Sequence, residues 1–188
     1  MESALQQTQQ TVASLRALLE QPRAPIAVEY RAVGATTAIA ISEPVRMDDL
    51  ATWWVEAFDE LHRVLASSSA VRTGSDGALY SNAFFEDELG EVVAFIPVTG
   101  AADTSGRAQL IEIPGAELAI TVHHGAISDL DQTYGALGTL VAEQEIGVDG
   151  PIREYYVVGS NEAGGEPAHY TEVCWPVFRT KAEPIAGI

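Results

Sequence analysis

The feature that most constrains this chain is a pattern that occurs twice. Met47-Asp-Asp-Leu-Ala-Thr-Trp-Trp54 lies over Ile127-Ser-Asp-Leu-Asp-Gln-Thr-Tyr134, at an offset of 80 residues. Phe95-Ile-Pro-Val98 lies over Cys174-Trp-Pro-Val177, at an offset of 79. Two matches in the same order at nearly one offset point to an internal duplication. The halves run from about 26 to 100 and from about 108 to 180.

Each half reads as two extended runs, a helix and two further strands. In the first half the runs are Ile26–Tyr30 and Thr37–Ile41, separated by Gly34. A helix is expected from Asp48 to Ala66, then strands at Leu79–Phe85 and Glu91–Val98. In the second half Pro114-Gly115 joins runs at Gln109–Ile113 and Glu117–His123. A helix over Asp129–Glu145 and strands at Ile152–Val158 and His169–Val177 follow. Asp48 and Ser128 hold the same helix-start position, and both are N-cap types. The implied class is α+β: duplicated strand-helix-strand-strand units build one antiparallel sheet. Helices cover one face, and a ligand cleft is expected on the other, between the halves.

Residues 1–22 read as an amphipathic helix ahead of this domain. Leu5, Val12, Leu15 and Leu19, with Thr8, form a narrow stripe at spacings of three and four. About two heptads are too few for an isolated coil. The stripe must dock on the domain or on a second chain, so a homodimer through this helix is expected. Pro22 and Pro25 end it.

Charge narrows the partners. The chain carries 27 acidic and 10 basic residues, for a net charge of −17. Such a surface repels phosphate, so direct nucleic-acid binding is not expected. It attracts cations, although acidic surfaces also serve solubility alone. The start of the chain has no signal-peptide pattern and no apolar run is long enough for a membrane helix. With a single cysteine, Cys174, the chain is expected in the reducing cytoplasm.

Catalytic and metal signatures are missing. His123 and His124 are adjacent and so point to opposite strand faces. No paired-cysteine zinc motif, Walker loop, dinucleotide fingerprint or Gly-x-Ser-x-Gly elbow occurs. No cofactor is expected.

Strand alternation singles out a few side chains. Tyr170, Glu172 and Cys174 share one face of the last strand; Thr171, Val173, Trp175 and Val177 form its core face. Glu172 is thus a mid-strand carboxylate, either set in a cleft, exposed, or paired with Arg153. Glu154 and Tyr156 likewise share a face of the preceding strand, opposite Arg153, Tyr155 and Val157. On the first helix, Trp54 and Phe58 share a face with Leu50 and Leu61. They serve core packing, or Trp54 flanks the cleft mouth together with Tyr134.

HHGAISDLDQTYGALGTLVAEQ, GPIREYYVVG and HYTEVCWPV occur in that order. Together they resemble the gyrase-inhibitory-protein-like (GyrI-like) effector-binding domain, from about Ile26 to Phe178. The resemblance implies a duplicated α+β unit. It also implies a small-molecule sensor of the kind found at the C-terminus of MerR-type multidrug-sensing regulators, or a stand-alone drug-binding relative. In such sensors a last-strand glutamate meets lipophilic cations in an aromatic pocket, and that position falls on Glu172. Tyr134 and Tyr156 are the best carried-over rings; Trp54, Tyr170 and Phe84 complete the candidate set. TVASLRALLEQP resembles the helix that dimerises MerR-type regulators. No helix-turn-helix precedes it in the sequence, so DNA contact is not expected of this chain. Two alternatives share the same residue types. One is a GyrI-like hydrolase of cyclopropane-containing toxins, with Glu172 activating water. The other is an acidic protein-interaction module.

Overall fold

A computed structural model describes residues 26–178 apart from Asp103, 125–128 and 160–167. The N-terminal helix, Ser128 and the acidic hairpin around Gly164 lie outside the described residues. The first half comprises β1 (Glu29–Val33), β2 (Thr36–Arg46), a 3-10 turn (Met47–Asp49) and α1 (Leu50–Ser67). It continues with β3 (Val71–Arg72), β4 (Asp76–Tyr80), α2 (Asn82–Glu86) and β5 (Leu89–Thr99). The second half comprises β6 (Gln109–Ile113), β7 (Ala116–His123), α3 (Leu130–Glu143), β8 (Ile152–Gly159) and β9 (Ala168–Pro176).

The strands form one antiparallel sheet in the order β1-β7-β9-β8-β4-β5-β2-β6, with the short β3 also on β5. The order shows an exchange that local periodicity does not reveal. The first strand of each half pairs with the other half: β1 with β7, and β6 with β2. This exchange bends the sheet. β1 and β2 lie six places apart, which would be about 29 Å in a flat sheet. Yet only Gly34 and Ala35 separate them, and three peptide steps reach at most about 11 Å. The sheet must therefore curl until its edges approach. The two crossover links meet: a side chain on Gly115 would lie 2.9 Å from the Val33 carbonyl oxygen.

Both long helices pack on one face of the curl. α1 buries Trp53, Ala57, Phe58, Leu61 and Val64 against Ile39 and Ile41 of β2 and Ala94 and Ile96 of β5. α3 buries Leu137 and Val141 against Ala119 of β7 and Val173 of β9. Spacings of three and four on the helices meet alternation on the strands, as the pattern requires. Each fully buried leucine such as Leu61 contributes roughly 1.5–3 kcal/mol. Inside the curl, Ala38, Ala40, Leu79, Val93, Phe95 and Ile113 form a second core.

Three local expectations change. Asp48 falls in the 3-10 turn, and neither Asp49 before α1 nor Asp129 before α3 makes a side-chain cap. Leu79–Phe85 is not one strand: β4 stops at Tyr80, and Phe84 and Phe85 ride on the short helix α2. The chain turns there because Phe84 N–H donates to the Ser81 carbonyl. Gly90 lets α2 lie close, since a side chain at Gly90 would come within 2.3 Å of the Phe84 nitrogen. The opening run also shifts, from Ile26–Tyr30 to Glu29–Val33.

The β5–β6 connection is fastened to α1 by charge. Glu60 accepts from the Arg107 backbone N–H at 2.8 Å and from its Nε at 2.9 Å; Arg107 Nη1 reaches Glu43 at 2.8 Å. The bond from the Arg107 backbone, then that from its guanidinium, holds the Glu60 carboxyl below its ordinary value. A lowered folded-state value stabilises the fold above the unfolded carboxyl's range, near 4.5. That contribution is lost as pH falls through the lowered value. Glu60→Gln should therefore cost on the order of 1–2 kcal/mol at pH 7. Urea melts should show the deficit shrinking steadily as pH drops below that range.

Candidate ligand site

β8 is the strand at the seam. It pairs with β9 on one side and with β4 of the first half on the other. Alternation sends Arg153 and Tyr155 into the curl, and Ile152, Glu154 and Tyr156 to the helix face. The Glu154 side chain lands between the halves and is only 5% exposed. Three phenols converge on it. Tyr134 of α3 donates to Oε1 at 2.5 Å, Tyr156 donates to Oε2 at 2.7 Å, and Tyr80 of β4 reaches Oε2 at 3.2 Å. The Tyr80 and Tyr156 hydroxyls lie 3.1 Å apart, and Trp54 Nε1 donates to the Tyr156 hydroxyl at 3.0 Å.

An aromatic shell encloses this network. Trp54 meets Tyr156 edge-on at 5.2 Å and Phe58 at 4.6 Å. Phe84 lies 5.5 Å from Tyr80, and Phe85 contacts both Tyr80 and Tyr134. Phe84 is buried, whereas Phe85 is 38% exposed, so the shell reaches the surface at α2.

The electrostatics are one-sided. Among the described residues no basic side chain forms an ion pair with Glu154. Arg153, its neighbour in sequence, points the other way: its Nη2 donates to the Pro114 carbonyl at 2.9 Å. Burial first, and then neighbouring negative charge including that of Glu154, push the hydroxyls of Tyr80, Tyr134 and Tyr156 well above the usual phenol range. They stay protonated donors at any physiological pH. Hydrogen bonds to a carboxylate are stronger than neutral ones, but they supply no positive charge. A desolvated carboxylate held this way is a high-energy arrangement that a cation would relieve.

Three of the expected site residues, Tyr134, Tyr156 and Trp54, come together here. Phe84 packs one ring behind them. Glu172 and Tyr170 do not join the cluster; Glu172 lies on the opposite face of the sheet. There Glu172 is gripped by Arg31 of β1, Nη1 to Oε2 at 3.0 Å and Nη2 to Oε1 at 3.2 Å. It is neither free nor paired with Arg153. Tyr170 stacks on His124 at 5.6 Å. Cys174 is buried beside them, and burial, then the Glu172 charge, drives its thiol far above the ordinary range. A thiol so protonated is a poor nucleophile. The expected cleft face does carry a cavity, of about 330 Å³, lined by Leu79, Ser81, Asn82, Glu91, Val93 and Asp149–Pro151. Glu172 is not part of its lining.

Phe85 is missed because Leu79–Phe85 reads as one strand, and Tyr80 because what brings it to the cluster is the pairing of β4 with β8, where Ala78 stands opposite Glu154. Two residues beyond each stand Tyr80 and Tyr156.

No helix among the described residues is long and apolar enough to cross a membrane. No curated protein matches the sequence. Solved structures do. The EcmrR–DNA complex matches with a TM-score of 0.71 and 14% identity, covering 95% of this chain and 69% of that one. The EcmrR C-terminal domain gives 0.69 and 16%, covering 82% and 99%. SAV2435 bound to tetraphenylphosphonium gives 0.56 and 16%, covering 81% and 94%. At such identities these likenesses concern the fold. The sequence itself matches the GyrI-like small molecule binding domain across residues 27–177, and the chain belongs to that family.

Proposed function

We propose that this GyrI-like domain binds lipophilic organic cations, with Glu154 meeting the charge and Trp54, Tyr134 and Tyr156 meeting the apolar body. The observation that carries this reading is a buried carboxylate held only by phenol hydroxyls, with no basic partner among the described residues. Cation–π attraction from the surrounding rings adds to the ion pair. A net charge of −17 raises the local concentration of cations. The ligand-bound relative, SAV2435 with tetraphenylphosphonium, supports the choice of a lipophilic cation. Several such cations would be accepted, because rings and one charge impose little shape.

In this reading Glu172 has a structural part, tying β1 to β9 through Arg31. The biological setting proposed is the effector arm of a cytoplasmic MerR-type regulator that dimerises through the helix read at residues 1–22.

Titration with tetraphenylphosphonium, followed by tryptophan fluorescence, tests the reading. Saturable binding that perturbs Trp54 is expected, and neutral triphenylphosphine oxide should bind at least tenfold more weakly, a gap of about 1.4 kcal/mol. Equal affinity for the two would overturn it.

A further inference from the structure

The seam between the halves is locally twofold. β4 and β8 run antiparallel with Ala78 directly opposite Glu154. Two residues along each strand stand Tyr80 and Tyr156, whose hydroxyls meet at 3.1 Å. The helices keep the correspondence: Trp54 and Tyr134, at matching positions of the duplicated pattern, each donate into the cluster. The carboxylate alone breaks the symmetry. One half places Glu154 at the axis; the other places Ala78, which is fully buried. The small side chain leaves the acid room and adds no second charge. Asp76, two residues before Ala78 and on the same face by alternation, is already taken. Arg72 lies 3.0 Å from its Oδ1 and His62 2.7 Å from its Oδ2.

We propose that the site takes one positive charge and no more, and that Ala78 sets this limit. The proposal rests on the reading above, that Glu154 meets the cation. A guest with a single delocalised charge is fully compensated by Glu154. A compact guest with two charges must bury the second one among rings and hydroxyls without a counter-ion, which is costly. Long-range attraction by the acidic surface works the other way and favours the dication. A preference for the monocation therefore has to arise inside the site.

Two near-isosteric biaryls test this: N-methyl-4-phenylpyridinium, with one charge, and N,N′-dimethyl-4,4′-bipyridinium, with two. Calorimetric titration of the wild type at physiological salt should show the monocation binding at least ~10-fold more tightly. Monocation binding should weaken at least ~10-fold in Glu154→Gln. In Ala78→Asp the preference should shift toward the dication by a similar factor. The dication should also raise the melting temperature of that variant more than that of the wild type. The wild-type comparison decides the matter even if Ala78→Asp folds poorly. Equal or tighter wild-type binding of the dication would overturn the proposal while leaving the Glu154 reading intact, provided that Glu154→Gln still weakens monocation binding at least ~10-fold. If monocation affinity is indifferent to Glu154→Gln, both fall together.

Discussion

Glu154→Gln should weaken tetraphenylphosphonium binding by between ten- and a hundredfold, about 1.4–2.8 kcal/mol, without unfolding the protein. The amide keeps the size of the side chain; its oxygen accepts from the phenols on one side, and its NH2 donates to a phenol oxygen on the other, with Tyr134 on one side and Tyr156 and Tyr80 on the other. What it removes is the charge. That charge is desolvated, and its hydrogen-bond partners among the described residues are hydroxyls. Its removal should therefore leave the unfolding midpoint unchanged or raise it, since an unpaired buried ion opposes folding. Loss of affinity with no loss of stability is the signature of an acid kept for its guest. Glu172→Gln should do the reverse. Its carboxylate, whose side chain is 13% exposed, is held by Arg31, so stability should fall by roughly 1 kcal/mol while affinity stays within twofold. Calorimetry and urea melts on the two variants read both axes at once.

The second large effect concerns the inner core. Phe95→Ala should cost about 3–5 kcal/mol and lower the melting temperature by roughly 6–20 °C. Phe95 is fully buried inside the curl and meets Tyr155 edge-on at 6.0 Å. Its ring also fills the space that Gly77 leaves, since a side chain at Gly77 would stand 2.5 Å from Phe95 Cζ. Because Gly77 lies opposite Tyr155 in the β4–β8 pairing, this ring locks the two halves at the strand that carries Glu154. The cavity left by alanine cannot collapse easily, as backbone surrounds it on the β4 side. Differential scanning calorimetry measures the loss directly. A change below about 1 kcal/mol would mean that the interior relaxes far more than a close-packed core allows.

Much of the architecture could be read from local patterns. Both long helices and the core face of β9 follow from spacings of two and of three to four, and the duplication from two matches at offsets of 80 and 79 residues. Alternation also put Glu154 and Tyr156 on one face of β8. That Glu154, and not Glu172, lies among the rings at the seam is not legible locally. It depends on which face of each strand meets the helices at the seam, and hence on how the sheet closes. That closure comes from exchanging β1 and β6 between the halves through two short links, a non-local pairing without periodic signature. Phe85 is missed for a local reason. An apolar run ending in Phe84 and Phe85 looks like strand, and only the near approach allowed by Gly90 makes room for a helical turn there. Glu172 illustrates the limit from the other side: its partner, Arg31, lies 141 residues away on a strand that crosses between halves.

A structure of the protein with tetraphenylphosphonium bound puts the central claim to its most direct test. The phosphonium centre should lie within about 6 Å of the Glu154 carboxylate, its phenyl groups against Trp54, Tyr134 and Tyr156. A ligand found instead beside the Arg31–Glu172 pair, or in the cavity floored by Leu79 and Val93, would contradict it.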